Sequence, residues 1–232
     1  MQNAEVHAQV LRKYEISNIT SAKAGWWNNS HTVVLLLQDA DTKEHLGGIR
    51  VQRWGNGLPL PLESALGAVD PRVHAWVASF ASAGVGELCG LWCSPKLKGF
   101  GMGRTLTRMG LSLVAQLQLT TLFGLCDRSK VDANVAVGFM PEAALARAGR
   151  FEYPRPGLIA QLLRLRDAQR LLGATVDNRA AVNAYRDAPV GHEIVVHAGG
   201  RAQIERDLRL GSRSALGQAQ QPRRQAALGI VS

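Results

Sequence analysis

The run Lys98-Gly99-Phe100-Gly101-Met102-Gly103-Arg104 constrains this chain more than any other stretch. Three glycines at alternate positions leave backbone N–H groups free to turn toward one centre, with no Cβ in the way. Ahead of the run, Glu87 to Ser94 reads as a strand of Leu, Cys and Trp, stopped by Pro95. Behind it, Arg104 to Leu119 reads as a helix with Leu106, Met109, Leu113 and Leu117 on one stripe. Thr121 to Cys126 is a further strand. Strand, glycine loop, helix and strand make a βαβ crossover, which calls for parallel neighbours in a mixed α/β sheet.

The loop opens a helix, so the free N–H groups of the first turn and the helix dipole add a positive pole. Such a nest suits a diphosphate. A tight glycine turn with no ligand accounts for the spacing equally well; its place between strand and helix favours the anion. A dinucleotide fingerprint needs GxGxxG, whereas this loop is GxGxG, although Asp127 lies near the distance of that motif's acid. The Lys-Ser/Thr ending of a Walker loop is absent.

Elsewhere the pattern is coarser. Ala4 to Lys13 has helical spacing, and His31 to Gln38 and Leu46 to Trp54 form an antiparallel hairpin around a polar turn. A short helix is expected near Arg72 to Ser82, another at Pro141 to Ala148 and a longer one at Leu158 to Leu172. Arg150 to Tyr153 is extended, and Glu193 to Ala198 is the last strand. Residues 1–210 read as one domain, and 211–232, small, polar and dotted with Arg, as a flexible tail.

The 232 residues carry 27 Lys and Arg against 18 Asp and Glu, a net charge of +9 that favours anionic partners without choosing among them. The longest apolar run, Val33 to Leu37, is far below the roughly 18 residues of a membrane-spanning helix. No basic start followed by an apolar stretch marks a signal peptide. Cys89, Cys93 and Cys126 are an odd number, which argues against a disulfide framework and for the cytoplasm. None of the six scattered histidines stands at ligand spacing from a cysteine, so no metal is expected.

Glu87-Leu88-Cys89-Gly90-Leu91-Trp92-Cys93-Ser94-Pro95 followed by Lys98 to Arg104 resembles the signature of the GNAT superfamily of N-acyltransferases. Its continuation through Leu106 and Arg108 is most similar to arginine N-succinyltransferases. The long stretch before Glu87 resembles acyl-homoserine-lactone and N-acyl-amino-acid synthases, which take acyl groups from acyl carrier protein. The resemblance implies a GNAT-type mixed sheet and transfer of an acyl group from acyl-CoA to a primary amine. Lys98, Gly99, Phe100, Gly101, Met102, Gly103 and Arg104 would then hold the coenzyme A diphosphate. The strand around Trp92 and Cys93 would splay to pair with the pantetheine arm. Glu87 is the candidate general base for the amine, and Tyr153 the candidate acid for the departing thiolate.

Two departures stand out. Lys98 replaces the usual Arg or Gln, keeping the charge and losing the planar fork. Aligning Ala148-Gly149 on the family pattern puts Leu145 where a proton-donating Tyr is common. Each candidate also has a plain structural reading: Glu87 as a strand-end carboxylate, Tyr153 as a packing tyrosine, the cysteines as core thiols, and Trp26, Trp27 and Trp54 as aromatic core. Two other functions stay open. One is a synthase fed by an acidic acyl carrier protein; the other is a non-catalytic module whose basic tail binds nucleic acid. A small-molecule amine is the expected partner rather than nucleic acid.

Overall fold

The computed structural model describes residues 29–210 and the strand at 225–231. The helix expected at Ala4 to Lys13, and Trp26 and Trp27, lie outside the described residues. One mixed sheet organises the chain. Its strands are β1 (Thr32–Asp39), β2 (His45–Arg53), β3 (Val85–Cys93), β4 (Thr121–Asp127), β5 (Met140–Pro141), β6 (Arg150–Glu152), β7 (Ile159–Leu165), β8 (Val190–His197), β9 (Gly200–Asp207) and β10 (Gln225–Val231). The spatial order is β5-β7-β4-β3-β2-β1-β10-β9-β8, with β6 also on β7. Pairs β3–β4 and β1–β10 are parallel and the remaining pairs antiparallel.

The expected β1–β2 hairpin forms, its turn pinned by Asp39, whose carboxylate accepts from the N–H groups of Asp41 and Thr42 and from the Thr42 hydroxyl. Alternation sends Val33, Leu35, Leu37, Ile49 and Val51 to one face. There they meet Leu106, Met109 and Leu113 from α3 (Met102–Ser112) and the turn after it. That stripe is buried as its spacing predicts, with Leu117 beside it. Helix and sheet come close at Gly110, where a Cβ would stand 2.9 Å from Leu88. The opposite face is covered by α1 (Pro61–Leu66) and α2 (Arg72–Ala78). Leu60, Leu62, Leu66, Val73 and Val77 pack there on Phe123 and Phe151, and Trp76 and Phe80 lean on Phe123. A short helix, α4 (Val131–Ala136), follows β4.

Several expectations fail, each for a visible reason. The helix expected at Leu158 to Leu172 is instead β7, a strand with partners on both edges, β4 on one and β5 and β6 on the other. Ala160, Gln161, Leu162 and Leu163 are all buried, and a strand covered on both faces gives an apolar run that periodicity cannot tell from a helix. The helix expected at Pro141 to Ala148 is a β-bridge and turns, because Ala146 and Ala148 hold φ of 44° and 54°. Glu142, paired with Arg164 at 2.8 Å, takes the N–H groups of Ala143 and Ala144 in that turn. Neither α5 (Val176–Asp187), capped by Thr175, nor β9 was read from the sequence. Finally, part of the segment expected to be a tail is a strand: β10 lies between β1 and β9.

Candidate functional site

β3 is the strand on which the site is built. It pairs with β2 over most of its length but with β4 through three positions only: Val85 with Thr121, Gly86 with Leu122 and Glu87 with Phe123. Beyond Glu87 the two parallel strands part. A bulge assists: between Cys89 and Trp92 β3 spends three residue steps where β2 spends two, with Gly90 at φ 62°. The result is a wedge between β3 and β4, with Glu87 at its apex. No other strand among the described residues pairs with the β4-facing edge of Leu88 to Cys93.

The glycine loop lies past the open end of β3. Ser94 caps a 3-10 turn at Pro95–Leu97, after which Gly99 and Gly101 take φ of 86° and 69° and α3 begins at Met102. The N–H groups of Lys98 and Phe100 are used inside the turn, donating to Pro95 and Leu97. Those of Gly99, Gly101, Met102 and Gly103 donate to no group among the described residues. Lys98 and Arg104 are exposed, whereas Met102 is buried and Phe100 half-buried, so the last two anchor the loop from below. Gly101→Val places a β-branched side chain at a left-handed φ that L-residues avoid. The variant is expected to stay folded and lose diphosphate binding, as titration calorimetry with coenzyme A would show; unchanged affinity would remove the loop from the site.

Glu87 is 2% exposed. Its Oε2 accepts the Leu62 N–H at 2.8 Å, so α1 covers it from the second face. Burial pushes its carboxyl up to about 8; the Leu62 N–H and nearby Arg50 oppose that shift, and Glu63 adds to it. A second buried acid thus stands close by: Glu63 accepts from the Leu60 N–H at 2.7 Å and meets the ring of His74, at 3.1 Å. Arg50, also buried, directs its Nε to the Cys89 sulfur. A carboxyl near 8 at the parting of two strands is matched to accepting a proton near neutral pH.

The other expected residues are distributed as follows. Tyr153 is half-buried beyond β6, its N–H on the Leu158 carbonyl. Glu87 shares a row of the sheet with Phe123 and Arg164, while Tyr153 shares one with Leu158. Six residue steps of β7 separate those rows, about 20 Å at a strand's rise, so Glu87 and Tyr153 are not brought together. Trp92 is buried with its indole against Gly48, and Cys93 packs on the first core. Burial raises the Cys89 thiol to about 12 and those of Cys93 and Cys126 to about 11, which leaves them protonated and poorly nucleophilic. Asp127 caps the turn after β4 by accepting from the Ser129 N–H, and Leu145 is buried in the second core. Among the described residues no group of three or more His, Cys, Asp or Glu could hold a metal ion.

One part of the site escaped the sequence reading. The β8–β9 hairpin turns through Ala198 and Gly199 and lays its tip on the glycine loop. The Gly99 carbonyl accepts from the Gly199 N–H at 2.9 Å and from His197 Nδ1. A Cβ at Gly199 would stand 2.6 Å from the Gly99 backbone, and one at Gly200 would stand 3.2 Å from the Phe100 ring. The signal was present: a Gly-Gly pair between two alternating runs marks a hairpin.

This architecture, a mixed sheet whose central parallel pair opens ahead of a glycine loop and helix, is the GNAT-type fold. The chain is similar in structure to FeeM, an N-acyl amino acid synthase from uncultured soil microbes, with 16% identity, a TM-score of 0.54, and 77% of this chain and 92% of that one covered. Weaker likenesses include BjaI, a CoA-dependent acyl-homoserine lactone synthase (8% identity, 80% of each chain, TM-score 0.47), and Tetrahymena GCN5 (13% identity, 69% and 81%, TM-score 0.39). No protein-family model matches the chain, and no curated protein sequence does.

Proposed function

We propose that this chain is an N-acyltransferase that moves an acyl group from an acyl-CoA thioester to the primary amine of an amino acid or other small molecule. The observation that carries the reading is the alignment of three features: the wedge past Glu87, the unpaired N–H groups of Gly99, Gly101, Met102 and Gly103, and the buried carboxyl at the apex. The loop suits a diphosphate, because its glycines leave a backbone cradle and Lys98 and Arg104 add positive charge. The donor supplies the activated acyl carbonyl. The free edge of Leu88 to Cys93 offers peptide groups to the amides of the pantetheine arm, and one N–H there polarises the carbonyl. Glu87 takes the proton of the substrate ammonium, so that the neutral amine attacks the thioester carbonyl; the C–S bond breaks as the N–C bond forms, and coenzyme A departs as its thiolate. No covalent enzyme intermediate is needed.

The likeness to FeeM, an N-acyl amino acid synthase, supports an amino acid as acceptor. The net charge of +9 suits a donor on an acidic carrier protein as well as coenzyme A. Thermal-shift and native mass-spectrometry measurements with acetyl-CoA, succinyl-CoA, a long-chain acyl-CoA and an acyl carrier protein separate the donors. A shift of several degrees with one donor, and release of free thiol on adding an amino acid panel, is the expected result. Failure of every donor to bind sinks the proposal.

A further inference from the structure

We infer that the outer edge of β8 is an interface between two copies of this chain, which join antiparallel across it and continue one sheet through both. The inference stands apart from the acyl-CoA reading. β8 ends the sheet order, and no strand among the described residues lies beyond it. Its register with β9 runs without a shift from Val190 to His197. The Leu208 N–H donates to the Pro189 carbonyl at 3.0 Å, so the odd-numbered residues of β8 turn their peptide groups toward β9. Val190, His192, Ile194 and Val196 therefore turn theirs outward, along an open edge.

The side chains of these four residues are exposed as well. Glu193 and Val195 alternate to the covered face, where Glu193 accepts from the Tyr185 hydroxyl at 2.8 Å and Val195 packs on the first core. Val190 and Ile194 are each 48% exposed and Val196 is 73% exposed. A long, flat, apolar edge invites pairing, and chains that stay single guard it with Lys, Pro, a bulge or brevity. The opposite edge of this sheet is guarded: β5 and β6 have two and three residues, and β5 carries Pro141. β8 has eight residues, no bulge, and neither Lys nor Pro.

The charges beside this edge select its occupant. Arg201, Gln203 and Glu205 of β9 are exposed on the same face, next to Val196, Ile194 and His192. Neither Arg201 nor Glu205 has a partner among the described residues, so the apolar row carries a free cation toward the turn and a free anion toward its other end. A two-fold axis lays that pattern onto its own complement. An axis at Glu193 would set two carboxylates directly opposite, which is unfavourable. An axis at Ile194 sets Ile194 on its own copy, Val196 on the partner's His192 and Glu193 on the partner's Val195. Arg201 then shares a row with the partner's Glu205, about 14 Å away between backbones at three strand spacings, and the two long side chains narrow that gap from both ends.

Sedimentation velocity over a range of concentrations tests this. The parent is expected to interconvert between monomer and dimer with a Kd of about 1–100 μM, as suits an interface of one strand pair. Ile194→Lys, which sets like charges together on the axis, should raise that Kd about tenfold or more with Tm unchanged. Arg201→Glu should raise it about threefold, and adding Glu205→Arg should restore it, a rescue that an interface elsewhere or a foreign partner does not give. Treated with diamide, Ile194→Cys should form a covalent dimer, because paired Cα atoms there stand about 5.5 Å apart, within disulfide reach. Val190→Cys and the parent should not; burial holds the parent's own three thiols protonated. A parent that sediments as a monomer at every concentration would overturn the inference and leave the edge to another segment of this chain or to a different protein. A dimer indifferent to Ile194→Lys and to the charge exchange would lie on another surface and overturn it equally. Neither result bears on donor binding, so the acyl-CoA reading stands or falls separately.

Discussion

Glu87→Gln is expected to lower kcat by about 10²- to 10⁴-fold, the usual range for loss of a general base, with coenzyme A affinity nearly unchanged. The parent rate should climb with pH toward about 8, where the buried carboxyl ionises, and the variant should lack that limb. The same substitution has an opposite effect on stability. In the unfolded chain the carboxyl ionises near 4.5, and in the fold only near 8. Between those values the folded state holds the extra proton, so the burden of burying Glu87 grows as pH rises from 4.5 and is complete above 8. The full shift corresponds to about 5 kcal/mol at the outside. Gln keeps an oxygen for the Leu62 N–H and has no charge to desolvate. Its Tm should match the parent's near pH 4.5 and exceed it by several degrees above pH 8. Pairing kcat with Tm across that range decides the role: a more stable variant with kcat within about threefold of the parent would leave Glu87 a structural carboxyl.

Deleting residues 211–232 is expected to be severe, because it removes β10 from the interior of the sheet. That strand has six register partners on β1 and five on β9, and its loss leaves both with an unpaired edge. A fall in Tm of roughly 10 °C or more should follow, since a domain of this size loses about 2–4 °C per kcal/mol. Coenzyme A binding should fall with it, because the hairpin that touches Gly99 is joined to the sheet through β10. A truncated protein with unchanged Tm and unchanged binding would mean that β10 contributes nothing to the folded state. Retained polyanion binding by that protein would also separate such binding from the arginines at 213, 223 and 224.

Local chemistry accounts for what could be read in advance. The crossover from β3 through α3 to β4 was legible because its glycines, its stop at Pro95 and its leucine stripe each act over a few residues. Glu87 could be singled out, but its burial under α1 could not, since that depends on a Leu62 N–H 25 residues away. The β7 segment was misread because burial on both faces erases the alternation that separates strand from helix. β10 was misread for a different reason. Gln225–Val231 is short and rich in Ala and Gly, and nothing in it announces a partner as distant as β1. His197 lay within a strand already recognised; only the fold brings it to a carbonyl 98 residues away.

The parallel seam between β1 and β10 has a consequence for how the molecule comes into being. On a ribosome β1 is made roughly 190 residues before the strand that completes its outer edge. Until then β1 and β2 can pair only with β3 and its neighbours, and β8 and β9 form a hairpin with no fixed attachment to them through the sheet. The half of the sheet that carries Glu87 and the wedge can therefore assemble early, while the half that brings His197 to the loop waits for the closing of a very long chain segment. Such late closure of distant contacts slows folding. It also means that a nascent chain with its wedge already built still lacks the hairpin's contact on the Gly99 carbonyl.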